Sequence, residues 1–260
     1  MDYANKTILI TGASSGIGRA TALALAPFNN RLVITARRQE LLEETADQIR
    51  EMGSLCMALA GDALDGEFAR EVVDQIVAAH GGVDIALLNI GVGPPSNCLT
   101  ASGETILDCM RANYDTMVHF FVPLMAQMKE QKSPCLIAHM NSQASYFGIP
   151  MQGDYTAAKG AARLFFDTAR MELKHFGISH IRLQTIHPGF VDTLAVRGDG
   201  IPAPNEISEE DAALYVLKGF KREMRENLFP PATAWATRLG RFLPRALLTR
   251  VLLAATPKTY

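Results

Sequence analysis

Thr11-Gly12-Ala13-Ser14-Ser15-Gly16-Ile17-Gly18 follows the apolar run Lys6-Thr7-Ile8-Leu9-Ile10 and precedes an alanine- and leucine-rich stretch. The β-branched run predicts a buried strand over 6–11, and the stretch over 19–26 predicts a helix. Three glycines let the backbone approach a ligand closely, and the N–H groups that open the helix attract anions. By itself this pattern is also typical of an ordinary strand-to-helix turn. Features elsewhere in the chain are needed to distinguish a phosphate-binding turn from an ordinary one.

The same alternation of strand and helix continues along the chain. Further strands are predicted over 31–36, 55–59, 84–89, 135–141 and 181–186, and helices over 40–52, 67–80, 104–129 and 155–176. Strands separated by such helices pair in parallel through right-handed crossovers. We therefore predict an α/β fold: a Rossmann-like doubly wound parallel sheet forming one domain over 1–226, with a helical C-terminal extension over 227–260. The segment expected to form the last strand is reduced to Leu228-Phe229 before two prolines, so the sequence does not decide whether a seventh strand forms.

Composition excludes several classes of protein. The 260 residues carry a net charge of −2, which argues against a nucleic-acid binder. The four cysteines show no paired metal-ligand spacing and the six histidines form no cluster, so no metal site is predicted. The first residues lack the basic and apolar pattern of a signal peptide, and a cytoplasmic location is expected.

Unusual residues fall where the predicted strands end. Arg37 follows the second strand, Asp62 the third and Asn89 with Gly91 the fourth, and Ser142 follows the fifth. Pro188-Gly189 follows the sixth strand. Ligands bind at this edge of a doubly wound sheet, so we expect these residues to line a site.

Arg37 bears on the choice of cofactor. An NAD site commonly has a carboxylate at the end of the second strand, whereas residues 35–38 read Thr-Ala-Arg-Arg. Arg37 can bind a 2′-phosphate, which favours NADP(H), although a solvated arginine pair is the alternative. Asp62 can accept a hydrogen bond from the adenine amino group or act as a turn residue.

Tyr155 and Lys159 have the spacing of two side chains on one face of a helix, and Ser142 lies thirteen residues before the tyrosine. A lysine ammonium beside the phenol favours its ionised form, so the pair predicts an acid/base catalyst with a lowered tyrosine pKa.

Together these residues resemble the short-chain dehydrogenase/reductase family over roughly 5–195. The glycine turn matches the family's cofactor turn, Asn89-Ile90-Gly91 its fourth-strand motif, and 188–193 its nicotinamide loop. The resemblance implies a catalytic set of Asn113, Ser142, Tyr155 and Lys159. In the family pattern the tyrosine transfers the proton, the serine holds the substrate oxygen, the lysine contacts the nicotinamide ribose, and the asparagine positions a water that relays protons. Ile90 stands where the family usually has alanine, which predicts an altered cofactor affinity or pose.

The residue-level reasoning and the resemblance together predict a set of cofactor contacts. These are Gly12, Ser14, Ser15, Gly16, Ile17, Gly18, Arg37, Asp62, Asn89, Gly91, Tyr155, Lys159, Pro188, Gly189, Val191 and Thr193.

The predicted function is an NADP(H)-dependent oxidoreductase that interconverts a carbonyl and a secondary alcohol. Apolar residues flank the site in sequence and predict an apolar, lipid- or steroid-like substrate. They are Phe147, Ile149, Met151, Phe190, Leu194 and Val196. A Gly/Pro-rich segment over 193–208 is predicted to cover the substrate. The rival interpretation is a non-catalytic NADP(H)-binding regulatory or scaffold protein, which an intact catalytic set disfavours.

The family resemblance also implies a homodimer or homotetramer that pairs through the helices over 104–129 and 155–176. Ala157, Ala161, Ala162 and Ala169 allow close helix approach between subunits or within one.

The C-terminal segment is basic and amphipathic. Residues 227–260 contain five basic residues and no acidic one, which leaves −7 on residues 1–226. Trp235, Phe242 and several leucines recur near helical spacing. This pattern predicts either a helical lid or subunit contact, or a peripheral contact with an anionic membrane.

Overall fold

The computed structural model describes residues 1–193 and 203–256. The strands are β1 (Thr7–Thr11), β2 (Arg31–Ala36), β3 (Leu55–Ala60), β4 (Ile85–Leu88), β5 (Cys135–Met140), β6 (Ile181–Pro188) and β7 (Glu226–Phe229). The α-helices of the described chain are α1 (Gly16–Leu25), α2 (Gln39–Glu51), α3 (Gly66–His80), α4 (Gly103–Gln131), α5 (Gly153–His175), α6 (Glu209–Arg222), α7 (Pro231–Gly240) and α8 (Arg245–Ala255). Two short 3₁₀ helices lie at Ala26–Phe28 and Gln143–Tyr146.

All seven strands form one parallel sheet in the order β3-β2-β1-β4-β5-β6-β7. Successive side chains of a strand point to opposite faces, and β1 shows the consequence. Ile8 and Ile10 join the core beneath α1, α2 and α6, whereas Leu9 joins the core beneath α3, α4 and α5. All three are fully buried, and each contributes about 1.5–3 kcal/mol by leaving water. The predicted doubly wound parallel sheet is confirmed.

Two element boundaries differ from the sequence prediction. Helix α1 begins at Gly16 instead of residue 19, because the glycines that disfavour a helix in sequence form its first turn. The seventh strand does form: β7 pairs with β6 from Thr185 opposite Glu226 to Pro188 opposite Phe229. Phe229 is 1% exposed and stacks on Tyr215, so packing and pairing stabilise a strand that its sequence alone indicates weakly. Strand β7 begins at Glu226 and so extends past the boundary that the sequence predicts between residues 226 and 227. The helical extension begins at Pro231.

The strand order reverses between β1 and β4, which places a crevice at their carboxyl ends. The residues that follow β1, β2, β4, β5 and β6 therefore meet at one edge of the sheet.

Candidate active site

The glycine turn after β1 has the backbone geometry that its sequence predicts. Gly12 and Gly16 adopt φ values of +69° and +63°, which side chains disfavour. A Cβ on Gly18 would lie 2.4 Å from the Gly12 carbonyl oxygen and 2.5 Å from the Asn89 amide nitrogen, so only glycine fits. Asn89 ties the turn to β4, because its Nδ2 donates to Gly12 O at 3.2 Å and its backbone N–H to Thr11 Oγ1 at 3.0 Å.

A second arginine, which the sequence interpretation passed over, contacts this turn. Arg38 donates to Ser14 Oγ at 3.0 Å and to Ser15 Oγ at 2.7 Å. Arg37 is exposed and makes no hydrogen bond or ion pair within the described residues. Arg38, Arg19 and both serines line a cleft of about 380 Å³. The sequence signal for Arg38 is its position beside Arg37, immediately before the first residue of α2.

The end of β4 approaches α4 and α5 closely at Gly91. A Cβ there would lie 2.8 Å from both Asn113 Oδ1 and Lys159 Nζ, so the glycine makes room for both side chains. Asn113 is fully buried, and its amide donates to Val92 O at 2.6 Å and Cys109 O at 2.8 Å. Its Oδ1 accepts from the Val92 N–H at 3.2 Å. Asn113 thus holds the segment after β4 in place beside Lys159.

Tyr155 lies near the start of α5, and Ser142 follows β5. Burial raises the pKa of Tyr155, while the nearby Ser142 side chain lowers it by a smaller amount. The prediction that Lys159 depresses this pKa is wrong for the protein alone. Lys159 Nζ lies 5.7 Å from the Tyr155 ring centroid and donates instead to Met140 O at 2.9 Å. At neutral pH the phenol therefore keeps its proton.

Lys159 is 2% exposed and has no acidic neighbour bonded to it among the described residues. Burial lowers its pKa to about 8. The lysine thus retains most of its charge near pH 7 but titrates far below its usual range.

Asn141 is a positioning residue that the sequence interpretation used only as a strand end. Its Nδ2 donates to Lys159 O at 3.0 Å, and its Oδ1 accepts from Ser142 N at 2.8 Å. One buried amide therefore joins the end of β5 to the helix that carries Tyr155 and Lys159. Asparagine after a strand gives little signal by itself, because this residue type is common in turns.

The remaining predicted contacts lie around the same edge. Asp62 accepts from Leu64 N at 3.0 Å, which is a turn contact. The Gly189 N–H donates to Phe229 O at 2.7 Å, and Val191 packs in the core while bridging to Ile207. Thr193 lies near Gly16, since a Cβ on that glycine would be 3.7 Å from Thr193 Cγ2. Ile17 is half-buried and packs on the core.

The structure describes four of the six apolar residues predicted to form a substrate pocket. Phe147, Ile149, Met151 and Phe190 are half-buried. Phe147 also packs against α7, since a Cβ on Gly240 would lie 3.0 Å from its ring. Leu194 and Val196 lie outside the described residues, as does part of the predicted covering segment.

Ile90, the bulky residue in the fourth-strand motif, packs beside the glycine turn. A Cβ on Gly12 would lie 3.0 Å from Ile90 Cγ1, and Ile90 also packs against the core beneath α3, α4 and α5. The isoleucine is therefore accommodated by the core and by the glycine opposite it.

Comparison with known proteins agrees with this arrangement. The short chain dehydrogenase family matches residues 6–199. The chain belongs to this family, whose members are oxidoreductases that use a nicotinamide cofactor.

An uncharacterized oxidoreductase of Myxococcus xanthus is 29% identical over 93% of this chain and 94% of its own length. The 11-beta-hydroxysteroid dehydrogenase A of Sesamum indicum is 31% identical over 81% of the chain. The chain spans 59% of the sesame protein and 35% of some other relatives. The crystal structure of a short chain dehydrogenase/reductase from Burkholderia phymatum in complex with NAD superposes with a TM-score of 0.86 over 100% of this chain and 99% of that one, at 21% identity.

Proposed function

We propose that this protein interconverts a carbonyl and a secondary alcohol on an apolar substrate, with NADP(H) as cofactor and Tyr155 as the general acid/base. The observation that carries the proposal is the grouping of the Ser142 and Tyr155 hydroxyls with the buried ammonium of Lys159, which lies 5.7 Å from the Tyr155 ring centroid. A hydroxyl pair of this kind can hold and protonate one oxygen atom.

When bound, the nicotinamide supplies hydride to the carbonyl carbon or accepts it in the reverse direction. Tyr155 donates its proton to the carbonyl oxygen, and Ser142 donates a hydrogen bond to the same atom. The raised pKa of Tyr155 suits it to donate, because the hydroxyl is fully protonated at neutral pH. Lys159 places a positive charge close to the phenolate that remains, and Gly91 leaves room for the lysine side chain.

The choice of NADP(H) is supported by the residues that follow β2. Arg37 is exposed and available for a phosphate, and Arg38 is already held at the glycine turn by Ser14 and Ser15. A guanidinium forms charge-assisted hydrogen bonds with a phosphate, whereas a ribose hydroxyl is usually held by a carboxylate. We propose that both arginines face the 2′-phosphate.

An apolar substrate is supported by the half-buried Phe147, Ile149, Met151 and Phe190 near the site. The name of the sesame relative, a hydroxysteroid dehydrogenase, agrees with a steroid-like or lipid-like class. That relative is the longer protein, so its activity enters only as support for this proposal.

The direct test measures NADPH oxidation by the full chain against a panel of apolar and polar ketones, with Tyr155→Phe as the matched control. We expect turnover on apolar ketones and a loss of at least about 100-fold in Tyr155→Phe, since general acid catalysis contributes about 10²–10⁴-fold. NADPH binding by fluorescence should persist in the variant. Binding without turnover in the wild-type chain would favour the regulatory or scaffold interpretation instead.

We further propose a homodimer or homotetramer that pairs through α4 and α5. Leu107, Val122, Leu164 and Met171 are apolar side chains on these helices that remain at least half exposed. Ala162 and Ala169 are buried within the subunit, so they serve internal packing, whereas Ala157 stays exposed. Leu164→Glu should lower the mass found by light scattering at micromolar concentration. A monomeric wild-type mass would contradict the proposal.

The four cysteines are all free thiols, which fits a reducing compartment, and we propose a cytoplasmic location. No helix in the described part of the chain has the length and apolar character needed to cross a membrane.

A further inference from the structure

Helices α7 and α8 present a surface of exposed apolar side chains. Trp235 is 62% exposed, Leu239 64% and Phe242 87%. No residue of α8 is buried, although Leu247, Val251 and Leu253 are apolar. We call the exposed side chains of residues 231–255 the C-terminal surface. Apolar side chains left in water at this density are typical of an interaction site.

The charge of the C-terminal surface has one sign. Arg238, Arg241, Arg245 and Arg250 lie within it, and residues 227–256 contain no aspartate or glutamate. In α8 the helical period puts Leu247, Leu248, Val251 and Leu252 on one face. Arg245 and Arg250 flank that face on its two sides. A helix with this pattern can bury its apolar face among acyl chains while its arginines reach the headgroups.

We infer that the C-terminal surface binds an anionic lipid bilayer. Charge complementarity favours this occupant, because four arginines without a carboxylate match a negatively charged headgroup layer. A two-fold contact between the surfaces of two copies would instead bring their arginines together with no acidic partner. A lid on the same subunit would fully bury side chains of α8, whereas Leu248 and Leu252 are only half-buried and no residue of the helix is fully buried.

Helix α7, which carries part of the C-terminal surface, contacts the residues that follow Ser142. Gln143, the residue after Ser142, donates to Phe229 O at 2.9 Å and to Thr233 Oγ1 at 3.1 Å. Its Oε1 accepts from Thr237 Oγ1 at 2.8 Å, and the Arg241 guanidinium stacks 4.8 Å from the Tyr146 ring. Lipid binding would therefore hold the substrate side of the protein against the bilayer. The expected substrates are then carbonyl compounds dissolved in the bilayer, a statement that rests on the proposed function.

Cosedimentation of the full chain with vesicles tests the surface. We expect binding to vesicles of equimolar phosphatidylglycerol and phosphatidylcholine, and weak binding to phosphatidylcholine alone. Arg245→Gln with Arg250→Gln should reduce the affinity about 25-fold, from about fivefold for each arginine near an anionic surface. Lys218→Gln with Arg222→Gln, which removes two exposed charges of α6, is the matched charge control and should leave binding unchanged.

A second pair of variants tests the apolar contribution. Leu239→Ser should weaken lipid binding, whereas Leu214→Ser on α6 should not, although the two leucines are 64% and 61% exposed. Equal effects of the two substitutions would contradict a specific surface. Circular dichroism and thermal melts should show that every variant is folded.

The outcomes separate this inference from the proposed function. A chain that stays in the supernatant with anionic vesicles but reduces a water-soluble ketone overturns the lipid surface only. A chain that binds lipid without turnover overturns the enzymatic proposal only. If Leu239→Ser lowers the mass found by light scattering and lipid binding is absent, the surface is a contact between copies of this chain.

Discussion

Helices α5 and α8 differ in what covers their apolar side chains. α5 buries eight residues, from Asp154 to Leu173, against the sheet and α4, whereas α8 buries none. A short helix gains most of its stability from tertiary packing. α5 can therefore hold Tyr155 and Lys159 in one geometry, whereas α8 depends on a partner outside the subunit. Packing thus distinguishes a helix that positions chemistry from one that is available for binding.

The largest effect that tests this contrast is on stability. Phe166 of α5 is fully buried and packs 5.3 Å from the His139 ring and 5.5 Å from the Phe121 ring. Phe166→Ala should lower the free energy of unfolding by about 3–5 kcal/mol. Leu247→Ala on α8 should change it by less than about 0.5 kcal/mol. Urea unfolding monitored by circular dichroism gives both values, and a comparable loss in the two variants would show that α8 is packed.

Acid should also act on the two regions differently. His187 is fully buried in β6 beside Ser142, and burial lowers its pKa to about 4, compared with about 6.5 in the unfolded chain. Between these values the unfolded chain binds more protons, so stability falls as the pH decreases from about 6.5 to about 4. Buried His139, whose pKa is also lowered, acts in the same direction.

Folding stability should therefore drop by about 3 kcal/mol over that range from His187 alone. His187→Gln should reduce the slope of unfolding free energy against pH without removing it, because His139 remains. Lipid binding should change little over this range while the protein stays folded, because neither buried histidine belongs to the C-terminal surface. An unchanged slope in His187→Gln would reject the assignment.

The smallest expected effect compares arginines at the two regions. Arg37→Ala should weaken NADPH binding about tenfold to 100-fold and spare NADH, because one charge-assisted interaction contributes about 1.5–3 kcal/mol. Arg38→Ala should weaken both cofactors, and NADPH more, because it also releases Ser14 and Ser15. Arg245→Ala on α8 is the matched control and should affect neither. Fluorescence titration measures all three, and equal losses of NADPH and NADH in Arg37→Ala would exclude the 2′-phosphate contact.

The sequence predicted the features that local pattern determines. Alternating strands and helices, the glycine turn, and the spacing of Ser142, Tyr155 and Lys159 all follow from residue order, and the parallel sheet is confirmed. The sequence does not decide whether β7 forms, because the pairing of β7 with β6 depends on tertiary structure. The contact of Arg38 with Ser14 and Ser15 depends on the side-chain conformation of the residue just before α2, which no periodicity reveals.

The pKa of Tyr155 shows a different limit. Helical spacing predicts that Lys159 shares a face with the tyrosine, and it does lie near the ring. Spacing does not predict that the ammonium donates a hydrogen bond to Met140 O, or that burial raises the pKa of Tyr155 more than the Ser142 side chain lowers it. Electrostatic effects of burial require the packed structure, because they depend on groups distant in sequence.

Gln143 connects α7 to the segment that carries Ser142, and this connection has a thermodynamic consequence. One buried amide contacts Phe229, Thr233 and Thr237, and its backbone adjoins Ser142. If a bilayer and a substrate each prefer a particular position of α7 relative to Ser142, linkage requires the coupling to be reciprocal. The factor by which lipid tightens substrate binding then equals the factor by which substrate tightens attachment to lipid. Residence time on the membrane would thus depend on whether substrate is bound.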